Sequence, residues 1–144
     1  MIAKLNSIFT SVTHHPDGGR LLLRILVAGL MIFHGVAKVS HGVDWIAADL
    51  AAKGVPSFVA YGVYIGEILA PAMVILGIFT APAALVILIN MIVAMLMVGS
   101  FGHAMEVTKV GAWALETDAF YVLGCVAIMM LGTGKYSVAP PAYR

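Results

Sequence analysis

His34, Lys38 and Glu67 are the residues of this chain whose types and positions could carry chemistry. His34 and Lys38 stand four residues apart within RLLLRILVAGLMIFHGVAKVSHG (20–42), so a helix presents them on one face. Glu67 interrupts a second apolar stretch. An ionised group at such a depth is costly and normally turns inward towards a partner. A Glu67 without one would take up a proton instead of staying charged.

The whole chain is apolar. Hydrophobic residues make up 62% and charged residues 10%. A soluble domain carries about a quarter charged residues. The mean hydropathy is +1.03. These values predict an integral membrane protein, whose first partner is the lipid bilayer. The net charge of +1 is uninformative, and no basic run points to nucleic acid as a partner. Cys125 is the single cysteine, so no intrachain disulfide or thiol relay can form. No Cys/His spacing predicts a metal site, and no flavin- or phosphate-cradling motif is present.

A helical span takes about 20 apolar residues. Spans are expected at about 20–39, 57–79, 81–102 and 113–131. The expected fold is all-α, an integral membrane four-helix bundle forming a single domain over 1–144. Residues 1–19 read as an interfacial helix or a disordered segment, and 132–144 as a tail. Thr80 is a candidate N-cap. DWIAADLAAKG reads as a short helix capped by Asp44 and closed by Gly54. Gly62, Gly66 and Ala70 form a small-residue ridge. Pro71 should bend the second span just after Glu67 and free carbonyls there.

Four spans put both termini on one side. Lys4, Arg20, Arg24, Lys135 and Arg144 lie there, which predicts a cytoplasmic location in a bacterial inner-membrane type of protein. Depth at about 1.5 Å per residue then places His34, Lys38, Glu67, His103 and Glu116 in the outer half, with Asn90 near the middle. The expected site is a polar cluster enclosed by the bundle and opening outward. Each member also has a plainer reading. Lys38 would snorkel from its helix end, as would Arg24 at the opposite face. His103 and Glu116 would be loop-edge residues, and Asn90 would only bond a neighbouring helix.

Several motifs resemble the DoxX family of small four-helix membrane proteins. They are LLLRILVAGLMIFHGVAK with His34-Gly35-x-x-Lys38, then Gly54-x-Pro56, Gly66-Glu67 and Leu76-Gly77-x-x-Thr80. Trp113 with Glu116, and Gly132-x-Gly134-Lys135-Tyr136-Ser137, complete the series. The resemblance spans about residues 20–137. The chain departs from the common pattern at Ala70-Pro71, where glycines are frequent, and at Ala81, where a basic residue is. The resemblance implies the fold and an association with redox chemistry, since some relatives look like the membrane part of a thiosulfate:quinone oxidoreductase. Distant relatives act as cargo receptors or assembly factors.

Three functions follow as expectations. The first is a quinone-linked membrane subunit whose electrons come from a partner protein. His34 would donate to a quinone carbonyl and move a proton, Lys38 would supply charge, and Glu67 would orient the imidazole and relay protons. Tyr64, Asn90, His103, Trp113 and Glu116 would complete the binding site, with Tyr64 or Trp113 flanking the ring. The second is a non-enzymatic scaffold that recruits a partner. The third is a small solute carrier, which four helices would support only as a homo-oligomer.

Overall fold

The computed structural model describes residues 1–144, and the chain is all-helical. Its helices are α1 (Ile2–Thr13), α2 (Pro16–His41), α3 (Asp44–Ala52), α4 (Ser57–Leu76), α5 (Thr80–Val98) and α6 (Glu116–Leu131). Three of them, α2, α4 and α5, are long and apolar enough to cross a membrane. At 16 residues, α6 extends only about 24 Å, short of the ~30 Å hydrocarbon core.

α2 packs on α4, α4 on α5, α5 on α6 and α6 back on α2, so the four helices close in that order. The shared core includes Val27 and Met31 of α2, Val74 of α4, Ile87 of α5, and Cys125 and Ile128 of α6. Gly124 lets α6 approach α2, because a Cβ there would lie 2.7 Å from Val27 Cγ2. The outward-facing side chains are apolar too, among them Phe33, Ile65, Leu96 and Leu123. That distribution suits a hydrocarbon surround.

Element ends differ from the expected ones for local reasons. α4 stops at Leu76, not Phe79, because Gly77 turns left-handed at φ 79°. Thr80 is not a cap. Phe79 precedes α5 at φ 44°, and Thr80 Oγ1 instead accepts a hydrogen bond from Thr133 at 2.7 Å. α5 ends at Val98 before the left-handed Gly99, and Ser100–His103 form a 3-10 turn. α6 begins at Glu116, leaving Trp113 in the preceding loop. α1 is a helix with every residue exposed. α3 follows Val43 and makes no side-chain cap through Asp44.

Arg24 does not snorkel. It is 1% exposed and clamps the end of the bundle away from α3. Its Nε donates to Val74 O (2.7 Å) and Nη2 to Ile75 O (2.6 Å). Its Nη1 donates to Thr133 O (2.8 Å) and Tyr136 O (2.6 Å). The last carbonyls of α4 lack their usual i+4 donors, Val74 O accepting only a longer 3.2 Å backbone bond from Gly77 N, and the planar five-donor guanidinium reaches them and the tail together. Ser137 Oγ donates to Gly77 O at 2.9 Å, and Val138 N to Leu76 O at 3.0 Å. The Gly132–Ser137 motif thus seals the α4–α5 turn.

Arg24→Leu strands these carbonyls in an apolar setting. It should lower stability by at least about 3 kcal/mol. Thermal melting in detergent should show the loss, and carboxypeptidase should then trim the tail faster than in the parent.

Candidate functional site

Glu67 owes its place to a break in helical bonding. In an α-helix the N–H of residue 71 would donate to the carbonyl of residue 67, but Pro71 has none. α4 relaxes into a π-turn over Ile65–Leu69, and the Ala70 N–H reaches back to Ile65 O. π-turns of this kind frequently mark functional positions. Gly35 of α2 fits against the freed carbonyl, since a Cβ there would lie 2.7 Å from Glu67 O and 2.5 Å from Ile68 Cγ1. The His34-Gly35 pair in the sequence therefore contributes chiefly through its glycine, which lets α2 close on the π-turn.

The Glu67 side chain faces α2 and α5. Lys38 Nζ donates to both of its carboxylate oxygens, at 2.8 Å to Oε1 and 2.7 Å to Oε2. Asn90 Nδ2 donates a longer bond to Oε1 at 3.4 Å. Gly66 admits Asn90, because a Cβ at 66 would stand 2.5 Å from Asn90 Cγ. Tyr64 Oη donates to the Lys38 carbonyl at 3.2 Å and ties α4 to α2 above the pair. Glu67 is buried and Lys38 only slightly exposed, with side-chain accessibilities of 6% and 19%. Two opposite charges in low dielectric stabilise one another strongly, and either alone would be costly there.

This pair forms the polar end of a half-open cleft of about 330 Å³. Its walls come from α4 (Val63, Ile65) and α5 (Ile89, Val93, Met97), and α3 covers it with Trp45, Ile46 and Leu50. Lys38, Glu67 and Asn90 are the strongly polar groups in an otherwise apolar lining. The volume and the few convergent polar groups match a small-molecule site. The arrangement offers a cationic donor, an amide donor and a carboxylate able to carry a proton.

The other residues singled out in the sequence lie elsewhere. His34 is exposed at the α2–α6 seam, its ring edge-on to Tyr121 at 5.8 Å, and makes no hydrogen bond to Glu67. His103 pairs with Glu106 at 2.9 Å in the loop between α5 and α6, both well exposed. Trp113 donates its indole N–H to Ala104 O at 2.8 Å within the same loop. Glu116 is exposed in the first turn of α6. Gly62 lines the cleft, where a Cβ would meet only open space, so it is no close-packing point of the expected ridge. Sequence reasoning missed the covering role of α3. The signal was Ile46 and Leu50, apolar residues four apart in a loop helix.

A family model described as DoxX matches residues 19–100, more than half of the chain. The match contains all but the first three residues of α2, then α3 to α5, and every residue of the Lys38–Glu67–Asn90 cluster. No curated protein and no solved structure matches the chain.

The charge pair predicts an asymmetric mutant cycle. Lys38→Met strands a buried carboxylate and should destabilise by about 3 kcal/mol, whereas Lys38→Met/Glu67→Leu should recover most of that loss. Unfolding of the reconstituted protein in graded denaturant measures each variant.

Proposed function

Since the chain belongs to the DoxX family of membrane proteins, we propose that it is a quinone-linked membrane subunit of a redox assembly. The cleft with Lys38, Glu67 and Asn90 at its polar end is the observation that carries this reading. A quinone ring is flat and apolar with carbonyl oxygens at its rim. The apolar walls take the ring, while Lys38 Nζ and the Asn90 amide donate to one oxygen. Glu67, held by Lys38, passes protons to the reduced ring. Two electrons come from a partner protein bearing a reduced flavin or metal centre. With two protons they convert the quinone to the quinol. His34 lies outside the cleft and has no part in ring binding.

In this reading α6 is a fourth span, lengthened by the loop residues before it. Both termini face the cytoplasm, and the cleft lies in the outer half of a bacterial inner membrane. Arg20, Arg24 and Lys135 at the Arg24-clamped end support that orientation.

Exposed apolar residues in the outer loop, Met105, Val107 and Val110, favour a second reading as a scaffold that recruits a partner without catalysis.

Purification in mild detergent followed by mass spectrometry of extracted lipids separates the two. Quinone should accompany the parent protein and His34→Ala, and be lost from Glu67→Gln/Asn90→Leu. A parent protein free of quinone that still holds a stoichiometric partner would establish the scaffold instead.

A further inference from the structure

We infer that the protein selects quinones by their hydrocarbon tail, through a second groove on the α4–α5 face; this rests on the ring-binding reading above. That groove has a volume of about 350 Å³ and is lined by Leu69, Ala70, Met73, Phe79, Pro82 and Ala83, with Ile65 and Val86 shared with the ring cleft. Its lining presents almost no polar surface. Ile65 and Val86 are both exposed and form the common rim of the two cavities.

The occupant follows from this continuity. The two cavities lie along one face of the α4–α5 pair, and only the first has polar groups. From Asn90 to Pro82 the path along α5 is about 12 Å, room for the first isoprenoid units of a tail. A ligand with its carbonyl at Lys38 and Asn90 has to leave the cleft past Ile65 and Val86, where the groove begins. A phospholipid chain could fill the groove alone, but nothing there would fix its head group.

The gain from the tail is modest in size. Lipid is as apolar as the groove, so burial supplies no hydrophobic driving force, and close packing is what remains. The tail chiefly aligns the ring at Lys38 and Asn90.

The test uses the full chain in nanodiscs, with two quinone probes of identical ring, one bearing a prenyl tail and one bearing none. Pro82→Trp fills the groove from an exposed position in the first turn of α5, outside the ring cleft. It should weaken the tailed probe about five- to tenfold relative to the parent and leave the tail-less probe unchanged. Comparing each probe across variants in the same membrane cancels its partitioning. Leu69→Trp, on the opposite wall and 55% exposed, guards against misfolding of the first variant and should act alike. If both probes keep parental affinity in both variants, or lose it equally, the tail groove is wrong while the ring site stands. If neither probe binds the parent protein, the ring site and the groove fall together.

Discussion

One ion pair sets the demands on the rest of this molecule. Lys38 and Glu67 bring opposite charges into an apolar bundle, and each is tolerable only because the other is there. Their meeting needs α2 and α4 unusually close, which Gly35 allows. It also needs the Glu67 side chain turned towards α2 and α5, and the π-turn forced by Pro71 supplies that. Gly66 then admits Asn90 as a third partner. Small residues and a missing N–H, seemingly weak points of a helix, are what assemble the polar end of the cleft.

The bundle buries a second cation in a different way. Arg24 bonds four backbone carbonyls and no carboxylate. A guanidinium stays protonated under all ordinary conditions, and its fixed fork suits a permanent clamp. The Lys38 ammonium instead meets a carboxylate, donating to both oxygens of Glu67. One end of the bundle is thus clamped, and the other holds the ion pair at the edge of a half-open cleft. The short helix α3 covers that cleft with Trp45, Ile46 and Leu50.

Much of this was legible in the sequence, and the gaps have physical causes. Hydropathy located the three long apolar helices, and depth placed Lys38, Glu67 and Asn90 at neighbouring levels. Depth carries no information about rotation. Four residues of helix turn through about 40° more than a full circle, enough to leave His34 at the α6 seam while Lys38 faces Glu67. Helix ends set by left-handed glycines are equally hard to read: Gly99 stops α5 early and leaves His103 in a loop. Arg24 had the same depth whether it snorkelled or clamped. The deciding feature was the set of unmet carbonyls beside Gly77, a tertiary fact. Pro71 was readable as a disruption at Glu67, although a π-turn, and not a simple bend, is the outcome.

On the proposed function, the Lys38–Glu67–Asn90 cleft receives a quinone ring. Photolabelling with an azido-substituted quinone, followed by peptide mapping, tests it most directly. Label should fall on α4 and α5 at cleft residues such as Val63, Ile89 and Val93, and excess unlabelled quinone should suppress it. Competable label concentrated at the His34–Tyr121 seam, or label that excess quinone fails to suppress, would contradict it.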